Sequence, residues 1–427
     1  MHDLHLSPPL GQASAARSIG QTLALQHPHR YRWVLLAGLW LVYCSFGLVA
    51  GGIPPLVGVI SDDLGLGRAA MGSILGAWPL VYIAAAVPAG ALIDRFGLRR
   101  SLAAGTVLIA LSGVLRSVAV DYATLFLAVA VFGLGGPFIS IGAPKLITTW
   151  FEGKDRGTSM GIYLTAPSIG RIVALATANS VLMPLYSSSW RLTLATYAGV
   201  ALLMGLVWFV LARDVQPSGE REQRPGTTLA SSFKTFPVLL RIRVVQIVLA
   251  MSVGSFLFNH SLNNWLPEIL RAGSMTAARA SFWATVPMIV GIGATLVIPR
   301  LATPRRRLLL LVGMLCAAGA SAVIVGTSTG GLLIVGLVLA GIAATGVMPI
   351  IMLVLMDAPQ VGPQRMGAAG GLFFTAGEVG GVMGPLMLGV VTDLTGGFLG
   401  GLLMLMSSSV ALALLVPWLG VALKHPK

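Results

Sequence analysis

The chain has 427 residues, 56% of them hydrophobic and only 10% charged, with a mean hydropathy of +0.87. A soluble domain carries roughly 25% charged residues, and this chain has too few polar side chains to cover such a surface, so a lipid bilayer is implied as its outer solvent. The net charge of +14 has no soluble basic domain to sit on, which excludes a nucleic-acid partner.

Residues 1–30 hold Arg17, Arg30 and four histidines without an apolar core, and read as a disordered tail rather than a signal peptide. A crossing helix needs about 20 apolar residues. Such runs lie at 32–57, 70–92, 99–119, 122–148, 158–184 and 191–212, and again at 243–267, 280–300, 307–327, 331–356, 367–391 and 397–422. A charged, Pro- and Gly-containing linker over 213–242 divides the chain into a half at 31–212 and a half at 243–423, with a short tail at 424–427. The expected fold is an all-α integral membrane protein of about twelve helices in two six-helix halves. The 53 glycines suit close helix approach in a membrane, and Cys44 and Cys316 sit in apolar runs with no redox message.

Lys and Arg set the orientation. With the N-terminus inside, 22 of the 28 basic residues fall on the cytoplasmic side. Five (Arg68, Arg116, Arg191, Arg271 and Arg279) fall outside, and Arg171, in the middle of its span, is the one left over. A multi-pass protein of the cell membrane with both termini cytoplasmic is expected, its basic face turned to anionic lipid.

The halves repeat at a shift of about 210 residues. "MGIYLTAPSIGRIV" (160–173) lies over "GGLFFTAGEVGGVM" (370–383), which pairs Tyr163 with Phe373, Gly170 with Gly380 and Arg171 with Gly381. Repeated halves in one membrane chain are an architecture of secondary transporters, whose site lies between the halves near the midplane.

"GALIDRFGLRR" (Gly90 to Arg100) resembles the loop between spans two and three of the major facilitator superfamily. "TWFEGKDRGTSMG" (149–161) is similar to that family's loop between spans four and five, and "NNWLPEIL" (263–270) to its organic-anion and cyanate-porter-like branches. The resemblance implies alternating access, with Gly90, Asp94, Arg95, Gly97, Arg99, Asp155 and Arg156 as a conformational latch. Asp94 is also placed to cap or face a helix N-terminus. The second copy of the loop, "PRLATPRRR", lacks the aspartate and glycine. Span four, "LAVAVFGLGG", lacks the arginine of many proton-coupled members, and in "APSIGR" Ala166 and Arg171 replace two glycines of the antiporter pattern.

Two ionisable residues stand deep in spans by this reading, Arg171 and Glu378, and an intramembrane charge costs on the order of 3 kcal/mol. Arg171 shares a helical face with Pro167, Ser168, Ala174 and Ala178, opposite Ile169, Ile172 and Val173, so it points into the bundle. It is either the anchor of an anionic substrate or a prop that biases one conformation. Glu378 is either a carrier of a coupling proton or a neutral packing residue. Asn259, His260, Asn263 and Asn264 form a polar stripe that lines a cavity or bonds neighbouring helices. Tyr163 and Phe373 join the substrate-binding set because the repeat pairs them.

The expected function is secondary transport of a small organic solute, an anion by the sign of Arg171. The alternative is a proton-antiport exporter of lipophilic compounds, which "APSIG" and Glu378 would suit. No nucleotide-binding loop, catalytic constellation or metal cluster is legible, so neither an enzyme nor a cofactor is expected. A monomer is expected.

Overall fold

The computed structural model describes residues 30–212 and 236–424. The tail expected over 1–30 (Arg30 excepted), most of the linker over 213–242 and all but Lys424 of the tail at 424–427 lie outside the described residues.

Among the described residues every regular element is helical, and twelve helices are long and apolar enough to cross a membrane. They are α1 (Tyr31–Leu64), α2 (Arg68–Phe96), α3 (Leu98–Ser117), α4 (Tyr122–Trp150), α5 (Gly153–Leu185) and α6 (Trp190–Leu211). The second six are α7 (Arg243–Ala272), α8 (Ala277–Ile298), α9 (Arg307–Thr327), α10 (Gly330–Met356), α11 (Arg365–Thr395) and α12 (Phe398–Leu423). Outward-facing residues such as Leu203, Val210, Leu309 and Leu414 are apolar and exposed, as a lipid-facing surface requires.

Local chemistry explains the ends and breaks. Asp121 accepts from Thr124 N at 2.8 Å and starts α4 with a capping box. Gly97 turns the chain from α2 into α3 at φ +81°, a backbone that favours glycine. In α1 the segment Gly51–Leu56 interrupts the helix, because Pro54 and Pro55 lack the N–H groups that a regular helix needs. A π-helical turn, Ala178–Leu182, opens α5 near its end.

The same helix pairs recur in both halves. In the first, α1 packs on α5 and α6, α3 on α4 and α6, and α2 on α4. In the second, α7 packs on α11 and α12, α9 on α10 and α12, and α8 on α10. The repeat reaches single atoms. A Cβ on Gly170 would strike Cys44 O and Leu48 N of α1, and one on its mate Gly380 would strike Val253 O and Leu257 N of α7. Both glycines let two backbones touch, and alanine at either would push the helices apart.

The chain termini of all described helices define two ends of the bundle. At the end away from Tyr31 and Lys424, called here the far end, the halves meet. The first turns of α2, Arg68–Leu75, pack on α11, and the broken segments of α1 and α5 pack on α7 and α8. Asp393 of α11 accepts from Arg68 N and Ala69 N at 3.3 and 2.8 Å. Asn179, in the π turn, donates to Pro55 O at 2.8 Å and to Ser281 Oγ of α8 at 2.9 Å. At the opposite end the ion pairs Arg32–Asp155, Lys145–Asp94 and Arg307–Asp357 each join residues of one half.

Candidate functional site

Beneath the far-end contact, a cavity of about 200 Å³ lies between the halves. The first half contributes Phe46 and Gly47 from α1 and Pro167, Ser168 and Arg171 from α5. The second contributes Asn259 and Asn263 from α7, Pro287 and Met288 from α8, and Ala344 and Thr345 from α10. The inward face read for Arg171 is therefore the face that meets the cavity, while Val173 is exposed on the outer surface.

Arg171 reaches this position because α5 lies against α1. A Cβ on Gly51 would stand 2.9 Å from Arg171 Cγ, so the glycine leaves room for the arginine stem. Among the described residues the guanidinium has neither an ion-pair nor a hydrogen-bond partner, and Glu378 does not neutralise it. The guanidinium carries five N–H donors, and Arg171 lines the cavity together with Ser168.

The α7 stripe splits between two surroundings. Asn259 Nδ2 donates to Ala344 O at 2.8 Å, and Asn263 Nδ2 donates to Asn259 Oδ1 at 2.7 Å. Both line the cavity, and Asn263 keeps its own Oδ1 free to accept. Asn264 is buried and donates to His260 O at 2.8 Å.

His260 turns away from that cavity lining into an aromatic clamp. Its ring stacks on Phe256 at 5.9 Å and meets Trp78 of the first half at 5.5 Å. Its Nε2 stands 3.9 Å from Glu378 Oε2. Glu378 is 8% exposed, and Oε2 has no hydrogen-bond partner. Gly381, the repeat mate of Arg171, adjoins both groups: a Cβ there would lie 2.8 Å from Glu378 Oε2 and 3.2 Å from His260 Cε1. The second half thus holds a carboxyl where the first holds an arginine.

The sequence and the architecture match those of known proteins. The family model of the Major Facilitator Superfamily fits residues 39–385. The chain belongs to the major facilitator superfamily. An uncharacterized transporter, YycB, of Bacillus subtilis (strain 168) is 25% identical over 382 residues, covering 87% of this chain and 90% of the relative. The hexuronate transporter of the same organism is 22% identical over 363 residues, covering 81% and 84%. A crystal structure of a bacterial homolog to the human lysosomal transporter Spinster shares the fold, with a TM-score of 0.70 at 16% identity over 92% of this chain and 96% of that one. This major facilitator chain is a transporter with twelve membrane-length helices.

Several expected site residues lie elsewhere. Tyr163 is 5% exposed and stacks on Tyr43 at 5.8 Å, and Phe373 is fully buried against Phe256 and Phe374. Both are core aromatics outside the cavity lining. Asp94 caps no helix: it pairs with Lys145 of α4, and the N-terminus of α3 has no side-chain cap. Asp155 pairs with Arg32 rather than with the loop that holds Asp94. Arg99 donates to Phe209 O through Nε and Nη2 at 3.1 and 2.9 Å, and Arg95 lies over the Phe96 ring at 5.3 Å. Gly90 has open space about it, and Arg156 is exposed.

One charge was misplaced by the sequence. Arg116, counted among the outer basic residues, is 2% exposed inside the bundle. Its Nη1 donates to Val49 O at 2.9 Å, and the guanidinium lies 5.3 Å over the Phe132 ring. It closes the last turn of α1 just before the break at Gly51. Proximity to the loop after α3 concealed this role, since one helical turn separates an interfacial arginine from a buried one. Ser168 and Thr345 also line the cavity. Ser168 carried a signal, as it shares the helical face of Arg171, and Thr345 lies in the Gly- and Pro-rich stretch "GIAATGVMP".

Proposed function

We propose that this transporter carries a small hydroxylated organic anion across the cell membrane, with Arg171 as the anchor for its acidic group. The observation that carries the reading is the unpaired guanidinium of Arg171 in a cavity between the halves. A cation inside a membrane span without a partner is costly, and a bound carboxylate would supply charge-assisted hydrogen bonds at that point.

The other polar atoms suit the rest of such a solute. Ser168 offers a hydroxyl, Asn263 an amide oxygen, and Thr345 lone pairs left after its own donation to Gly341 O at 2.8 Å. Phe46, Leu262 and Met288 give apolar walls. The space equals about seven waters at roughly 30 Å³ each. The likeness to a hexuronate transporter supports the same substrate class. With both termini cytoplasmic, as the basic residues favour, the far-end contacts close the outer side and the substrate exchanges with the cytoplasm. Glu378 and His260, buried beside each other in the second half, are the coupling-proton site of this reading.

The test is uptake of labelled hexuronate and related sugar acids into proteoliposomes, with and without an imposed pH gradient. Saturable uptake that Arg171→Gln abolishes supports the proposal. Proton-driven export of a lipophilic cation that depends on Glu378 and survives Arg171→Gln would favour the exporter reading instead.

A further inference from the structure

A second cavity lies far from the transport site, at the end of the bundle that holds the termini. It measures about 660 Å³ and is bounded by the start of α7, the loop between α10 and α11 and the last turns of α12. Four groups define its chemistry: Arg243, Gln360, Trp418 and Val421.

Arg243 is exposed, forms no ion pair among the described residues and lies 6.0 Å over the Trp418 ring. It opens α7, whose N-terminus has no side-chain cap, so the positive end of the helix adds to its charge. The nearest acidic residue in sequence to the Gln360 loop, Asp357, is committed to Arg307 at 2.5 Å. Gln360 holds a different clue: its Oε1 is buried and has no hydrogen-bond donor. A buried amide oxygen without a donor has lost its hydration uncompensated and calls for one. On the outer side, Trp418 is 61% exposed and Val421 59% exposed, so this wall faces the lipid. Tryptophan at a helix end marks the bilayer interface.

We infer that this cavity binds a phospholipid headgroup, with the phosphate on Arg243 and a headgroup hydroxyl or ammonium donating to Gln360 Oε1. The occupant enters from the bilayer because the exposed wall is apolar, and its acyl chains continue along Trp418 and Val421. A headgroup that carries a donor beyond its phosphate, such as glycerol or ethanolamine, satisfies both polar groups. Choline satisfies Arg243 alone.

The experiment uses the full chain in phosphatidylcholine nanodiscs doped with phosphatidylglycerol or phosphatidylethanolamine. Lipid retained after detergent extraction is read by native mass spectrometry. The expected result is one retained phosphatidylglycerol or phosphatidylethanolamine in preference to phosphatidylcholine. Arg243→Gln should lower that retention about tenfold or more, whereas Arg243→Lys keeps part of it. Gln360→Leu should leave phospholipid bound but erase the headgroup preference, a change that a merely structural residue would not produce. Equal melting temperatures in detergent establish that the variants are folded. Retention in Arg243→Gln equal to that of the parent would overturn the inference. So would equal stabilisation by soluble glycerol phosphate in detergent, which would assign the cavity to a free phosphate compound.

Discussion

The carboxylate of Asp393 in α11 accepts a 2.8 Å hydrogen bond from the backbone N–H of Ala69 in α2, so one half of the molecule caps a helix of the other. Arg68 reinforces the contact, with Nη1 3.8 Å from Asp393 Oδ1 and its guanidinium 5.5 Å over the Phe398 ring. A negative charge at a helix N-terminus is favourable, and here the gain exists only while the far end is closed. Gly72 and Gly76 let the same two helices approach, since a Cβ at either would strike Pro385 O or Val382 O.

Asp393→Ala should therefore loosen the far end and leave the cavity lining intact. A cysteine placed at Ser168 reports this through its labelling by an impermeant thiol reagent added from the far side. Labelling should speed up severalfold in the Asp393→Ala background. An unchanged rate would show that glycine packing alone holds the closure.

At the opposite end, Asp94 pairs with Lys145 inside the first half. On the resemblance to the family loop we propose this group as a conformational latch, and it lies outside the cavity lining. Asp94→Asn should slow transport severalfold while equilibrium substrate binding survives. Lost binding with an unchanged turnover would remove the latch role.

Arg116 should be a stability residue. It donates to Val49 O, and Phe132 beneath it also packs on Phe46 at 4.8 Å, a residue of the cavity wall. Arg116→Met should lower the melting temperature in detergent by the loss of a charged hydrogen bond, about 1.5–3 kcal/mol, offset in part by the cation no longer being buried. A melting temperature equal to that of the parent would reduce the contact to incidental packing.

Glu378 should matter to coupling. Beside it lie His260 at 3.9 Å and, through His260, Trp78 of the other half, so a proton here could sense the approach of the halves. Glu378→Gln keeps the shape and loses the titration. It should abolish the response to a pH gradient while solute exchange continues. Proton-driven accumulation that persists in Glu378→Gln would leave the carboxyl as packing.

The order of helices, their repetition in two sets of six and the inward face of Arg171 were legible in the sequence because each rests on periodicity: apolar run length, the repeat near 210 residues, and the 3.6-residue helical face. The partners of charged side chains were not. Asp94 meets Lys145 on α4, and Asp155 meets Arg32 on α1, through tertiary contacts that no local pattern encodes. Arg116 was counted with the outer basic residues because burial at a helix end depends on where a neighbouring helix stops, here α1 at its break. For Phe373 and Tyr163 the repeat could not separate the two roles, since paired positions pack as readily as they bind, and both lie outside the cavity lining.

Arg171 admits the sharpest test, because its helix is held against Gly51 whatever the side chain does. Its repeat mate is Gly381, so glycine is compatible with the corresponding place in the second half. If Arg171 anchors the substrate, Arg171→Gly removes a charged hydrogen bond of about 2 kcal/mol, and affinity should fall about thirtyfold. Arg171→Lys should recover only part of the loss, since an ammonium lacks the planar fork that grips a carboxylate with two bonds. A residue that merely props α5 from α1 predicts another outcome, in which binding holds and transport rises as the helices close together. Binding isotherms and initial uptake rates measured on the same preparations separate the two. Faster transport with intact affinity in Arg171→Gly would sink the anchor, and with it the main physical reason for assigning an anion to this cavity.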